Sequence, residues 1–166
     1  MMTVNPGDSL IDYSVGKGGD ISKWSNAKLD FVLGIDISKD NLEHKIDGAC
    51  ARYIKMRQNK SRLFSALFLQ GNTSQNIKNG DAFYTEKDKD IINLVMGESP
   101  KTSNYGKGVE KVYGFGKDGF DVSSCQFSLH YFCENMQTFQ GFLRNVSENT
   151  KLNGYFIGTC YDGDLI

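Results

Sequence analysis

An α/β fold on a mostly parallel sheet is predicted by three features of these 166 residues. Short apolar runs alternate with stretches whose apolar residues recur every three or four positions, the pattern of strands joined by crossover helices. Parallel neighbours require such crossovers. Hydrophobic residues make up 39% and aromatic residues 12% of the chain, enough for one core and too much for disorder, and the length suits a single domain.

The elements run in order along the chain. Ser9 to Val15 reads as a buried strand that runs into the tight loop Gly16-Lys17-Gly18-Gly19-Asp20, and a short helix starts over Ile21 to Trp24. Phe31 to Ile35 is a second strand closed by Asp36, with Ser38 placed to cap the next helix. From Lys39 to about Arg57, Leu42, Ile46, Ala49, Cys50, Tyr53 and Ile54 keep helical spacing, so one amphipathic helix is expected. Ala66 to Gln70 is a third strand, Phe120 to Phe127 a fourth, Phe139 to Asn149 a helix and Tyr155 to Cys160 a fifth strand. Residues 71–119 break the rhythm with Gly, Asn, Asp and Lys, and read as an insertion-like connection holding one helical piece around Asp90 to Met96. The alternating charges of Glu86 to Asp90 read as a loop surface.

Composition excludes several function classes. A net charge of −1 rules out a polybasic nucleic-acid coat. The longest apolar run, Leu63 to Leu69, is interrupted by Ser65 and falls far short of the roughly 20 residues a membrane helix needs. The first residues, Met1 to Asp8, have neither a basic lead nor an apolar core, so an intracellular, non-secreted protein without membrane attachment is expected. Cys50, Cys125, Cys133 and Cys160 form no C-x-x-C pair, and only His44 and His130 could join them. Reduced, mostly buried thiols and no metal site are expected.

A strand, a glycine-rich turn and a helix, with an acidic residue closing the next strand, is the general pattern for an adenosine-bearing ligand. Gly16, Gly18 and Gly19, with Asp36 twenty residues after Gly16, fit it. The glycines let the backbone approach the ligand, and the carboxylate accepts the ribose hydroxyls. The sixth-position glycine of dinucleotide folds is absent, and Asp20 would repel a diphosphate at the helix start. Asp12 and Asp20 suit a ligand carrying an ammonium and a sulfonium, which points to S-adenosylmethionine.

Five segments together resemble the mRNA cap guanine-N7 methyltransferases, and most of all the capping enzymes of large DNA viruses. They are Asp12-x-x-x-Gly16-Lys17-Gly18-Gly19-Asp20-x-x-Lys23-Trp24, Ile35-Asp36-Ile37-Ser38, Arg52-Tyr53, Ser124 to Asn135, and Gly154 to Thr159. The Cys125-Gln126-Phe127-x-x-His130-Tyr131 stretch is the most specific. The resemblance runs from about Leu10 to Gly163 and weakens through 71–119.

That resemblance implies a Rossmann-like S-adenosylmethionine-dependent methyltransferase with strand order 3-2-1-4-5, acting on capped RNA (GpppN-RNA) in mRNA 5′ capping. It implies cofactor contacts at Asp12, Gly16, Gly18, Asp20, Asp36, Asn72, Gln126 and Tyr131. Phe127 and His130 match the guanine side, and Lys17 and Arg52 the cap phosphates. No residue is expected to act as acid, base or nucleophile. Two departures stand out: Ser14 replaces the first glycine of the motif, and Asn72 stands where many relatives carry an adenine-facing aspartate. The resemblance also implies an entry helix before the first strand and two strands after the fifth, so the 1–166 span is expected to be part of a domain that other domains or subunits of a capping enzyme complement. Two other readings compete: a non-catalytic cofactor- or RNA-binding fragment or subunit, and a methyltransferase of another substrate class. For the basic run Arg52, Lys55, Arg57, Lys60 and Arg62, a solvated helix face competes with contact to an RNA backbone.

Overall fold

The structure, a computed structural model, describes residues 4–162; residues 1–3 and 163–166, which the expected domain includes, lie outside the described residues. Five parallel strands form one sheet in the order β3-β2-β1-β4-β5, the order expected from the sequence. They are β1 (Ser9–Asp12), β2 (Phe31–Asp36), β3 (Ser65–Gln70), β4 (Phe120–Cys125) and β5 (Thr150–Gly158). Ile11 pairs with Leu33 of β2 and with Ser123 of β4, which puts β1 at the centre.

Both faces of the sheet are covered, and the strand pleat decides which side chain goes where. On one face Leu10, Val32 and Val122 meet α1 (Ile21–Asn26) and α3 (Ala49–Asn59) through Trp24 and Tyr53. On the other, Ile11, Phe31, Leu33 and Ile35 meet α4 (Glu86–Met96), α5 (Lys107–Lys111) and α6 (Met136–Asn149), and Phe120 joins them across the register irregularity that separates it from Val122. Tyr13 and Phe142 meet edge to face at 5.5 Å beneath the carboxyl end of β1.

Several sequence expectations are corrected. The helix expected from Lys39 to Arg57 is two helices, α2 (Lys39–Glu43) and α3, separated by a loop over His44 to Gly48. A Cβ at Gly48 would lie 2.6 Å from the His44 nitrogen and 2.8 Å from the Leu42 carbonyl oxygen, so the chain turns there where only glycine fits. Within the 71–119 connection, Ile91, Ile92, Leu94, Val95 and Met96 of α4 and Val109 of α5 are buried, so it supplies one wall of the core. Glu86 and Asp88, expected on a loop, occupy the first turn of α4, whose N-cap Thr85 accepts the Asp88 N–H at 3.1 Å. Acidic side chains there complement the helix dipole.

β4 ends at Cys125, and Leu129–Glu134 forms a short 3-10 turn before α6. β5 begins earlier than expected, at Thr150, with an irregular register opposite Phe120 to Val122 where Asn153 takes φ +66°. Cys125 is buried and Cys50 half-buried, whereas Cys133 and Cys160 are exposed, so the expectation of mostly buried thiols fails for two of the four.

Candidate functional site

β1 stops at Asp12, and the chain then threads between the ends of its two neighbours. The Tyr13 N–H donates to the Ser124 carbonyl at 2.9 Å and the Val15 N–H to the Ile35 carbonyl at 3.0 Å. This is the switch point of the sheet, where connections leave to opposite faces and a crevice opens at the carboxyl ends of the strands. A cavity of about 500 Å³ lies there, within the range of small-molecule sites.

One wall of the cavity is the glycine turn. Gly16 has φ +54°, and a Cβ on it would meet no atom within 4 Å, so its backbone faces open space. Its N–H donates to Asp36 Oδ2 at 2.7 Å, while Asp36 Oδ1 accepts from the Ser38 N–H at 2.9 Å and the Asn41 amide at 3.1 Å. Asp36 therefore ties the turn to the end of β2. Three donors leave a carboxylate one further acceptor position.

The opposite wall comes from residues 71–74 and the turn after β4. Thr73 donates its hydroxyl to the Tyr13 carbonyl at 2.8 Å. Asn145 of α6, fully buried, donates to the carbonyls of Thr73 and Gln75 at 2.8 and 2.7 Å and accepts the Ile77 N–H at 3.0 Å. Asn72 Oδ1 accepts the Ser74 N–H at 3.0 Å, which turns the loop on itself. Tyr131, Phe132, Glu134 and Thr138 close the far side. The Ser14 and Ser128 hydroxyls bond to each other and both contact Cys125 Sγ, joining the two loops. Ser14 in place of glycine thus acts as a strap across the site.

Of the residues expected to hold a cofactor, Gly16, Asp36, Asn72 and Tyr131 line this cavity. The other four are placed differently. Gly18 is needed for packing: a Cβ there would come within 2.6 Å of Ile21 Cδ1 and 3.3 Å of the Ala49 backbone, where α1 and α3 meet the turn. Asp20, at the N-cap of α1, makes no capping bond and pairs with Lys23 at 2.6 Å. The Gln126 side chain bonds the Ser124 hydroxyl, the Ile157 carbonyl and Thr159, which fastens β4 to β5. Asp12 sits beneath the cavity, 2% exposed, with Oδ1 accepting the Ser14 N–H at 3.0 Å. Burial pushes its carboxyl up to about 7, helped by the charges of Asp20 and Asp36 and opposed by the bonds from Ser14 and Ser124.

The residues expected on the guanine and phosphate side lie outside the cavity. Phe127 takes φ +57° and is 68% exposed, with its N–H held by Thr159 Oγ1 at 2.9 Å. A non-glycine residue in that conformation costs about 1–2 kcal/mol, and here it presents an aromatic ring to solvent. The His130 ring lies between Tyr131 and Tyr161, with centroids 4.1 and 5.0 Å away, and its buried Nδ1 has no hydrogen-bond partner. Lys17 and Arg52 converge on Asp47, a residue that no sequence pattern marked. The basic run from Arg52 to Arg62 is exposed, and Lys60 reaches Ser25 at 2.7 Å.

The charged residues lining the cavity are Asp36 and Glu134, and none of its lining residues is basic. Such a wall favours a cationic or neutral ligand over a polyphosphate. No helix among the described residues is long and apolar enough to cross a membrane.

The family model described as "mRNA (guanine-N(7))-methyltransferase domain" matches residues 6–166. The chain is 29% identical over 163 residues to the "Probable mRNA-capping enzyme" of Acanthamoeba polyphaga mimivirus, covering 96% of this chain and 12% of that protein. It is 29% identical to mRNA cap guanine-N(7) methyltransferase 1 of Arabidopsis thaliana, covering 97% and 35%. For mRNA cap guanine-N(7) methyltransferase of Aspergillus niger the identity is 32%, covering 95% and 25%. The chain thus spans about a third or less of the length of these relatives. Among solved structures, an S-adenosylmethionine dependent methyltransferase of Mesorhizobium loti superposes with TM-score 0.51 at 15% identity, covering 92% of this chain and 46% of that one. The YcgJ protein of Bacillus subtilis superposes with TM-score 0.53 at 15% identity, covering 93% and 44%. These two likenesses establish the fold.

Proposed function

The chain belongs to the mRNA (guanine-N(7))-methyltransferase domain family, and on that premise we propose that it binds S-adenosylmethionine in the switch-point cavity and methylates N7 of the guanine cap of mRNA. The observation that carries the reading is an acidic, partly aromatic cavity beside the exposed Phe127 and the half-buried His130.

The residues present fit the cofactor. Asp36 has acceptor capacity left for a ribose hydroxyl, and the open approach at Gly16 leaves room for the ligand beside the backbone. The carbonyl of Asn72 is engaged by Ser74, so its amide N–H groups are what it offers an adenine edge. Tyr131, Phe132 and Ile37 supply apolar walls, and Asp12, held near neutrality by burial, is placed to gain its charge beside an ammonium.

When bound, S-adenosylmethionine supplies an activated methyl group, and guanine N7 meets it with a lone pair and no proton, so no general base is required. What this chain contributes is alignment and a site that tolerates the charge the guanine acquires. Phe127 and His130 hold the guanine, and Lys17 and Arg52 hold its phosphates. The partners are capped RNA and other domains or subunits of a capping enzyme.

Two variants test this division of labour. His130→Ala lowers methyl transfer to GpppRNA by about a hundredfold and leaves cofactor affinity unchanged, whereas Asp36→Ala lowers cofactor affinity. Equal losses of transfer and of cofactor binding in His130→Ala would refute the assignment.

A further inference from the structure

Lys17 Nζ lies 3.0 and 2.8 Å from the two carboxylate oxygens of Asp47. His44 Nδ1 lies 2.5 Å from Asp47 Oδ1, and Arg52 Nε donates to the Asp47 carbonyl oxygen at 2.9 Å. Three basic side chains, from the glycine turn, the end of α2 and the first turn of α3, thus converge on one residue of the 44–48 loop. The loop is fixed: the Gly48 N–H donates to the His44 carbonyl at 2.9 Å, and any side chain at Gly48 would strike the His44 backbone. The Lys17 and Asp47 side chains are 35% and 40% exposed, so a ligand from solvent can reach the contact.

The charges do not balance. Lys17 and Arg52 bring two fixed positive charges against the single carboxylate, and the Lys17 ammonium holds that carboxyl below its ordinary value. A phosphate chain has more charge and more acceptor oxygens than a carboxylate and makes the stronger charge-assisted bonds. We propose that Asp47 is an internal stand-in for phosphate: its carboxylate pairs with Lys17 in a pocket that His44 and Arg52 also border, and the phosphates of the incoming substrate displace it. Asp47 thereby keeps the cations gathered in the free protein and sets how strongly a phosphate chain must compete for them. The proposal rests on the reading that Lys17 and Arg52 face the cap phosphates.

The test measures binding of inorganic tripolyphosphate and of the dinucleotide GpppA by calorimetry to the protein, Asp47→Asn and Asp47→Ser, alongside steady-state methylation of GpppRNA. Displacement predicts that both variants bind tripolyphosphate about two- to fivefold tighter, the size of one exposed ion pair. The gain shrinks as salt is raised and is lost when Lys17→Ala is added. In methylation, KM for GpppRNA falls while kcat is unchanged, a split that a merely structural role would not produce. Unchanged or weaker tripolyphosphate binding in both variants, with unfolding midpoints matching the parent, would overturn the proposal. If the parent methylates GpppRNA yet the variants bind no more tightly, the stand-in role alone fails. If the variants bind tripolyphosphate more tightly and the parent methylates nothing, the stand-in role holds and the cap reading fails.

Discussion

Asp12 is a carboxyl group that weakens the fold where it stands, and replacing it with asparagine makes that cost measurable. Burial raises its pKa from 3.8 to about 7, a change worth about 4 kcal/mol. The sign comes from proton counts. Between pH 4 and 7 the unfolded chain has given up this proton while the folded chain keeps it, so the folded state binds more protons and stability falls as pH rises. Below pH 4 both states are protonated and nothing is lost. The asparagine side chain of Asp12→Asn cannot ionise, and its amide oxygen still accepts the Ser14 N–H that Asp12 Oδ1 accepts now. Urea unfolding of both proteins from pH 4 to pH 8 is the assay, with the midpoint converted through a common m-value. Asp12→Asn is expected to gain on the parent by about 4 kcal/mol across that range, with the gain complete above pH 7. Parallel pH curves would refute the reasoning, because they would mean that Asp12 ionises as freely when folded as when unfolded. The same variant is expected to bind S-adenosylhomocysteine more weakly, since the charge that costs stability is the one offered to the ligand.

Two further changes probe the frame of the site. Asn145→Ala leaves the carbonyl of Thr73 and the N–H of Ile77 buried without their partner and removes the bond to the Gln75 carbonyl. It should destabilise the protein by about 3 kcal/mol or more in urea unfolding and weaken cofactor binding by freeing the wall that carries Asn72. β5 is an edge strand of the sheet, and its Leu152 is 94% exposed. Such an edge recruits further chains, so Leu152→Lys should lower concentration-dependent light scattering with little change in unfolding midpoint; scattering equal to the parent's would count against the edge as the cause.

The sheet was legible because each strand is a short apolar run bounded by turn residues, and the acidic end of β2 and the glycine turn marked the site. Helix boundaries were less legible. Leu42, Ala49 and Tyr53 keep helical spacing straight across the break at Gly48, because α2 and α3 bury their apolar residues on the same face of the sheet. In the 71–119 connection the charges of Glu86 to Asp90 masked a helix start, although Ile91, Ile92, Val95 and Met96 carry helical spacing. Asn145 had a signal of its own: it lies three residues after Phe142 on the buried face of α6, where a polar residue needs partners. Those partners lie some seventy residues away in sequence, and no local pattern names them. Asp47 was missed for the same reason, since its loop meets Lys17 only in the folded chain.

Methyl transfer to a cap is the central claim, and the most direct test supplies S-adenosylmethionine with a labelled methyl group to this chain together with GpppRNA, triphosphate-ended RNA and RNA already methylated at the cap. Label is expected in GpppRNA only, recovered after nuclease digestion as 7-methylguanosine in the cap dinucleotide. Label in uncapped RNA, label elsewhere in the cap, or no transfer to GpppRNA by a folded protein that binds the cofactor would contradict it.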